Sequence, residues 1–222
     1  MTVRRSLVLM AAAIAAATTG LVGPAPSAMA ASDCPDVELV FARGTDEPPG
    51  IGVVGEALVD ALKPMVKGKE IRTYGVKYPA SYDFLGVATG ATDASTRAQK
   101  VAKECPKTKI VLGGYSQGAA VMDVVATSPI AGLGFRNPLP AAMDDRINAV
   151  AVFGNPSARI GQPLTTLSPR FGAKTADLCN RADPICSLGR DFSSHTRYEE
   201  SGLVKLAAEW VAKLVKDPPR QS

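Results

Sequence analysis

The sequence is poor in the residues on which many metal-binding and nucleic-acid-binding functions depend. Its 222 residues include one histidine, one tryptophan and four cysteines, and 5% are aromatic. The cysteines lack C-x-x-C spacing, which argues against a four-cysteine zinc site. The basic residues form no run with interleaved aromatic residues, which argues against nucleic acid as a partner.

Residues 1–30 have the pattern of a cleaved signal peptide. Arg4 and Arg5 precede an apolar run at 7–17, and Ala28-Met29-Ala30 is a small-x-small cleavage site. The apolar run is too short to cross a bilayer and is followed by Gly and Pro, which argues against a membrane anchor. The paired arginines also fit twin-arginine export, so the export route stays open.

Cleavage after Ala30 leaves residues 31–222, a size typical of one domain with a complete core. The formal net charge falls from +4 to +2, because two of the 25 basic residues leave with the segment. No other stretch is long and apolar enough to span a membrane. We expect a mature protein that is secreted, extracellular or cell-wall associated, and monomeric.

All four cysteines lie in the mature part of the chain. An even number in an exported chain predicts two disulfides, and four cysteines allow three pairings. Cys179 and Cys186 are close enough in sequence to close a short loop. Cys34 and Cys105 would then tie the N-terminus of the mature chain to its middle.

Strand-like and helix-like segments alternate along the mature chain. The predicted strands are 37–43, 71–78, 109–113, 147–153 and 173–179. The predicted helices are 52–66, 89–105, 119–126 and 203–214, and the Gly- and Pro-containing stretch 128–145 is predicted to be a loop or flap. Parallel neighbours need crossover connections, so this order predicts one α/β domain with a parallel sheet covered on both faces.

The segment Gly114-Tyr115-Ser116-Gln117-Gly118 matches the motif G-x-S-x-G and lies between a predicted buried strand and a predicted helix. A sharp strand-to-helix turn lifts the serine hydroxyl above the sheet and points the helix N-terminus at the reaction centre. Glycines on both sides relieve the crowding of such a turn. This context favours Ser116 as a nucleophile over an ordinary glycine-rich turn.

A serine hydroxyl needs a base, and histidine is the usual base near neutral pH. The single histidine, His195, follows a serine-rich loop and precedes the last predicted helix. This position fits the order Ser, acid, His of α/β-hydrolases. His195 is therefore the predicted general base rather than a surface or core histidine without a catalytic role.

The acid that orients the histidine is expected between the serine and the histidine in sequence. Asp183 lies between Cys179 and Cys186 and precedes a proline, so a short disulfide loop would hold its carboxylate still. Rigidity matters because this acid fixes the tautomer and the direction of the imidazole. Asp177 and Asp191 are the competing candidates, and Asp183 is the one with a structural reason to be fixed.

Three motifs in combination resemble those of the cutinase family. They are Phe41-Ala42-Arg43-Gly44-Thr45, the Gly-Tyr-Ser-Gln-Gly segment around Ser116, and the Cys-bounded Asp183-Pro184 loop followed by His195. The resemblance extends from Cys34 to about Trp210 and is greatest for bacterial cutinase-like proteins. It implies an α/β-hydrolase-type three-layer sandwich with a central, mostly parallel sheet and no large lid.

The resemblance also implies the disulfides Cys34–Cys105 and Cys179–Cys186. It further implies an oxyanion hole formed by the backbone N–H groups of Thr45 and Gln117. Gln117 also follows from mechanism, because the residue after the nucleophile supplies one donor. The assignment of Thr45 depends on the resemblance alone.

One segment departs from the pattern of the family. In cutinases that act on polymers, the segment before the histidine is an apolar flap beside the acyl groove, whereas 187–194 here carries two charges. The departure calls cutin itself into question and leaves a smaller or more polar ester as the substrate. The more apolar residues 130–139 are a second candidate for the flap.

The predicted function is that of a serine carboxylesterase that hydrolyses short- to medium-chain acyl esters or lipids through an acyl-enzyme intermediate. The mechanism calls for no metal and no organic cofactor. Two alternatives stay open. One is a phospholipase, thioesterase or acyltransferase with the same triad, and the other is a non-catalytic secreted binding protein that keeps the fold.

Overall fold

A computed structural model of the chain describes residues 34–216, so the predicted signal peptide lies outside the described residues. The strands are β1 (Val37–Ala42), β2 (Ile71–Gly75), β3 (Lys109–Tyr115), β4 (Ile147–Phe153) and β5 (Thr175–Leu178). The helices are α1 (Gly52–Leu62), α2 (Gly86–Glu104), α3 (Gln117–Thr127), the short α4 (Pro156–Arg159) and α5 (Leu164–Leu167), and α6 (Leu203–Lys216).

The five strands form one parallel sheet in the order β2-β1-β3-β4-β5. The central strands β1 and β4 are buried along their whole length, whereas the edge strand β2 is only half-buried. The parallel sheet confirms the predicted α/β class. The full burial of β1 and β4 is expected where helices cover both faces of a parallel sheet.

Side chains of β1 alternate between two hydrophobic cores, one on each face of the sheet. Leu39 and Phe41 pack with residues of α1 and α6. Val40 and Ala42 pack with residues of α2 and α3. The chain is therefore a three-layer sandwich in which α1 and α6 cover one face and α2 and α3 cover the other.

The strand β2 is shorter than predicted, because the chain leaves the sheet after Gly75. The carbonyl groups of Val76, Tyr78 and Pro79 accept hydrogen bonds from the guanidinium of Arg43, at 3.4, 3.0 and 3.4 Å. The last pair of the β1–β2 ladder is Phe41 and Gly75, and the Val76 N–H still donates to the Phe41 carbonyl at 2.9 Å. The segment 76–78, predicted as the end of a strand, is instead an irregular segment bound by Arg43.

Residues 128–145 are irregular, as predicted, apart from a 3-10 turn at Ala141–Met143. Phe135 and Leu139 are buried in the core between the sheet and α2 and α3. The hydroxyl of Ser95 in α2 donates to the carbonyl of Asn137 at 2.6 Å. The segment is thus anchored to the α2 side of the domain.

Both disulfides implied by the family resemblance are present. Cys34–Cys105 joins the residues before β1 to the end of α2, with a sequence separation of 71. Cys179–Cys186 closes a loop directly after β5, with a separation of 7. The long bridge ties distant parts of the chain together, whereas the short one shapes a single loop.

Two acidic side chains meet beneath α4. The Asn155 side-chain amide donates to Asp123 in α3 at 2.9 Å and to Asp177 in β5 at 3.0 Å. Asp177 also accepts from the backbone N–H of Leu164 at 2.7 Å. Burial raises the pKa of both carboxyl groups, and that of Asp123 reaches about 6.

Replacing Cys34 and Cys105 together by alanine should lower the free energy of unfolding by about 4 kcal/mol, because the bridge closes a long loop in the unfolded chain. Replacing Cys179 and Cys186 together should cost about 2 kcal/mol, because their loop is short. Urea unfolding of the two double variants beside the wild type measures both losses. Equal losses in the two variants would contradict the loop-length argument.

Replacing Asp123 by asparagine should change how stability depends on pH. The folded pKa of about 6 lies above the usual 3.8, so the folded state holds a proton that the unfolded state has released between these values. The wild-type free energy of unfolding therefore falls as the pH rises through this window. We expect Asp123→Asn to gain about 2 kcal/mol relative to the wild type between about pH 4 and pH 7.

Urea unfolding at the two pH values measures this difference. Asp60→Asn is the matched control, since Asp60 is exposed and pairs with an exposed lysine. The explanation fails if Asp123→Asn and Asp60→Asn follow the wild-type pH dependence equally.

Candidate active site

Ser116 lies between the end of β3 and the start of α3, in the strand–turn–helix context that its motif predicts. Its backbone has φ +56° and ψ −118°, a region that costs a non-glycine residue about 1–3 kcal/mol. The Ser116 N–H donates to the carbonyl of Phe153 in β4 at 2.8 Å. The neighbouring strand therefore holds the strained residue in place.

The glycines of the motif are needed for close approach. A Cβ on Gly118 would lie 1.9 Å from the carbonyl oxygen of Ala42 in β1. A Cβ on Gly114 would lie 2.1 Å from the carbonyl oxygen of Gly118. Only glycine at both positions lets α3 start this close to the sheet.

Three predicted residues form a hydrogen-bonded chain. His195 Nε2 lies 2.9 Å from Ser116 Oγ, and His195 Nδ1 lies 2.7 Å from Asp183 Oδ2. Both His195 and Asp183 are buried. An ionised carboxylate can only accept hydrogen bonds, so Nδ1 carries the proton and Nε2 is left to accept from the serine hydroxyl.

The carboxylate of Asp183 accepts hydrogen bonds from two further groups besides His195. Its Oδ2 also accepts from the hydroxyl of Tyr198 at 2.6 Å, and its Oδ1 accepts from the backbone N–H of Ile185 at 2.8 Å. Burial favours the neutral acid, but the hydrogen bonds from His195, Tyr198 and Ile185 outweigh it and lower the pKa of Asp183. The group stays ionised although no part of it is exposed.

The two competing aspartates lie elsewhere. Asp177 points to Asn155 and the start of α5 rather than to His195. Asp191 is bound by the N–H and hydroxyl of Ser193 and by the hydroxyl of Ser194. Asp191 thus stabilises the 3-10 turn Phe192–His195 that presents the histidine.

The histidine rests on residues that the sequence analysis did not identify. Gly154, directly after β4, has φ +61°, and a Cβ there would lie 2.9 Å from His195 Cε1 and 3.1 Å from the Tyr198 hydroxyl. The Tyr115 hydroxyl donates to the backbone carbonyl of His195 at 2.6 Å. No local pattern marks these residues, because each acts on a partner from a distant part of the chain.

Thr45 and Gln117, the two residues expected to form the oxyanion hole, line the same groove as Ser116. The turn that carries Thr45 is held by the Glu47 carboxylate, which accepts from the N–H groups of Gly44 and Val53. The side-chain amide of Gln117 donates to the carbonyl of Ser81 at 2.7 Å. Both residues are therefore fixed by neighbouring segments.

The groove above Ser116 has a volume of about 540 Å³. Its walls come from the segment after β2, from α4, from the residues directly after Asp183, and from residues on both sides of His195. Beyond Ser116, His195, Thr45 and Gln117, it is lined by Tyr82, Phe84, Tyr115, Pro156, Arg159, Pro184, Ile185, Phe192 and Thr196.

This lining corrects one prediction and refines another. None of residues 130–139 lines the groove: Phe135 and Leu139 are buried against α2 and α3, and Ile130 and Leu133 are exposed outside the groove. The segment 187–194 contributes the exposed Phe192 rather than its two charged residues. Tyr82 and Phe84, which also line the groove, carry no signal in the sequence beyond being aromatic.

Neither a metal centre nor a membrane-spanning helix is found in the described part of the chain. Between residues 34 and 216, no three His, Cys, Asp or Glu side chains are grouped so that they could hold a metal ion. None of the helices in this range combines the length and apolar composition that crossing a bilayer requires.

Comparison with known proteins identifies the family. The profile of the Cutinase family matches residues 33–215. Phospholipase Culp4 of Mycobacterium tuberculosis is 53% identical over 212 residues, which are 96% of this chain and 92% of that protein. Carboxylesterase Culp1 of Mycobacterium bovis is 42% identical over 217 residues, which are 94% of this chain and 95% of that protein.

Solved structures show the same fold. Trichoderma reesei cutinase in complex with a C11Y4 phosphonate inhibitor has a TM-score of 0.68 and 35% identity, with 82% of this chain and 77% of that chain covered. An iodinated complex of acetyl xylan esterase has a TM-score of 0.70 at 24% identity, with 82% and 99% covered, and this likeness concerns the fold alone. The chain belongs to the cutinase family and is a serine esterase.

Proposed function

We propose that this esterase cleaves carboxylic esters with Ser116 as nucleophile, His195 as general base and Asp183 as the acid that orients the histidine. The observation that carries the proposal is the hydrogen-bonded chain from Asp183 through His195 to Ser116 beneath an open groove. This is the arrangement that nucleophilic acyl transfer needs.

The reaction proceeds in two halves. Ser116 Oγ attacks the ester carbonyl carbon while His195 Nε2 accepts the hydroxyl proton. The tetrahedral intermediate collapses, His195 gives the proton to the leaving alcohol, and the acyl group remains on Ser116. Water then attacks the acyl-enzyme while His195 accepts a proton from it. The second tetrahedral intermediate collapses, His195 returns the proton to Ser116 Oγ, and the carboxylic acid is released.

The backbone N–H groups of Thr45 and Gln117 stabilise the oxyanion of both tetrahedral intermediates. Gln117 begins α3, so the aligned peptide dipoles of this helix also favour the negative charge there. The backbone before Gln117 is bound to β4 through the Ser116 N–H, and the turn of Thr45 is bound by Glu47. Both N–H donors are therefore in place before the reaction and need little reorganisation during it. One such donor is typically worth about 3 kcal/mol of transition-state stabilisation.

The substrates are short- to medium-chain acyl esters, including those of lipids. The aromatic side chains of Tyr82, Phe84 and Phe192 give the groove apolar walls for an acyl chain. Two similar proteins are named as a phospholipase and a carboxylesterase, which agrees with this substrate class. Membership of an enzyme family argues against a non-catalytic binding protein.

The protein is exported after removal of residues 1–30. Two disulfides and no unpaired cysteine in residues 34–216 support this part of the proposal, because disulfides persist in oxidising compartments. The N-terminal sequence of the protein recovered from the culture medium of an expressing bacterium would test it.

Ser116→Ala should lower the rate of hydrolysis of p-nitrophenyl esters by several orders of magnitude, because the acyl group loses its acceptor. In a series from acetate to palmitate, the wild-type rate should be highest at one acyl-chain length. That length indicates how long an acyl chain the groove accommodates. Release of p-nitrophenol measures both. Ser128→Ala, at the end of α3, is the matched control and should behave as the wild type.

An organophosphonate should label the wild type at Ser116 and leave Ser116→Ala unlabelled, as mass spectrometry of the digested protein would show. Equal ester hydrolysis by wild type and Ser116→Ala would contradict the proposed nucleophile.

Gly154→Ala should lower kcat by about 100-fold with a smaller effect on KM, because the new Cβ would push the His195 ring away from Ser116. Gly161→Ala is the matched control, since Gly161 also has positive φ, +75°, but a Cβ there meets nothing within 4 Å. Both variants introduce the same kind of backbone strain. If both lose activity equally, the contact with His195 is not the cause.

A further inference from the structure

Arg159 is the permanently charged residue of the groove. Of the described residues that line it, none other is an arginine, lysine, aspartate or glutamate. Arg159 ends the short helix α4, which begins two residues after Gly154, and it lines the same groove as His195. An otherwise neutral groove thus carries one positive charge.

The guanidinium of Arg159 is held at one of its nitrogens. Nη1 donates to the backbone carbonyls of Pro184, at 2.7 Å, and of Ser187. Both carbonyls belong to the segment that directly follows Asp183. Carbonyl oxygens orient the guanidinium without neutralising it, so the positive charge remains.

The other edge of this guanidinium is the one that binds acids elsewhere in the molecule. Nε and Nη2 of Arg97 both donate to Glu38, and Nε and Nη2 of Arg170 both donate to Asp144. In residues 34–216, Nε and Nη2 of Arg159 have no such acceptor, and Arg159 forms no ion pair. The edge that binds one carboxylate oxygen in Arg97 and in Arg170 is therefore oriented and unused in Arg159.

We propose that the Nε–Nη2 edge of Arg159 binds the phosphate of a phospholipid whose acyl ester is attacked by Ser116. The inference rests on the proposed function and names the substrate class of the same site. A guanidinium binds phosphate oxygens by parallel hydrogen bonds in this geometry. In a phospholipid the phosphate and the acyl esters share one glycerol unit, so one groove can bind the phosphate and present an ester.

The test compares two soluble esters that differ in the phosphate: dihexanoylphosphatidic acid and dihexanoylglycerol, each below its aggregation concentration. Hexanoate release gives kcat/KM for both with the wild type, Arg159→Gln and Arg159→Lys. The readout is the ratio of kcat/KM for the phosphate ester to that for the neutral ester. This ratio cancels any general loss of activity in a variant.

We expect the ratio to fall about tenfold in Arg159→Gln, which corresponds to about 1.4 kcal/mol. Arg159→Lys should fall between the wild type and Arg159→Gln, because lysine keeps the charge but not the bidentate edge. Added salt should lower the wild-type ratio, because Arg159 is exposed and its charge is screened.

An unchanged ratio in Arg159→Gln would overturn the subsite. Should that variant not fold, the wild-type ratio decides, and a ratio that does not respond to salt overturns the subsite equally. Failure of the wild type to hydrolyse these esters and every p-nitrophenyl ester would instead remove the proposed function. Hydrolysis of both lipids at the same rate by all three proteins would leave the function and remove only the role of Arg159.

Discussion

The buried carboxylate of Asp183 imposes the strictest requirement on this structure. An ionised group away from water is costly unless hydrogen bonds replace its hydration. The donors come from His195, Tyr198 and the Ile185 amide, which lie in the loop after β5 and in the residues before α6. The loop closed by Cys179–Cys186 and the residues His195 and Tyr198 must therefore meet at one point, and that point also orients the histidine.

The parallel sheet supplies the second constraint. Ser116 keeps an unfavourable backbone conformation because its N–H is bound to β4 and because glycines let α3 approach β1. The strand ends of β1, β3 and β4 thus bring Thr45, Ser116 and Gly154 to one edge of the sheet. This agrees with the general rule that open α/β sheets bind their ligands at the carboxyl ends of the strands.

The strand ends carry the residues around Ser116, whereas segments outside the sheet form the walls of the groove. Arg43 binds carbonyl groups of Val76, Tyr78 and Pro79, directly after β2. Tyr82 and Phe84 follow this segment and line the groove. Arg159 holds another part of the lining through the carbonyls of Pro184 and Ser187. Two arginines that bind backbone carbonyls therefore shape the space in which an ester would lie.

The sequence analysis missed the short helices α4 and α5. The amino-acid sequence by itself predicted the order of the five strands and the four long helices and the cutinase resemblance, and it singled out Ser116, Asp183 and His195. These depend on local patterns: apolar runs, a glycine-flanked serine, a cysteine-bounded aspartate and one histidine. Only the tertiary structure decided that Tyr198 binds Asp183, that Gly154 supports His195, and that Phe135 and Leu139 join the core instead of lining the groove. The reason is that each of these contacts joins residues from separate parts of the chain, and periodicity carries no information about which distant side chains will meet.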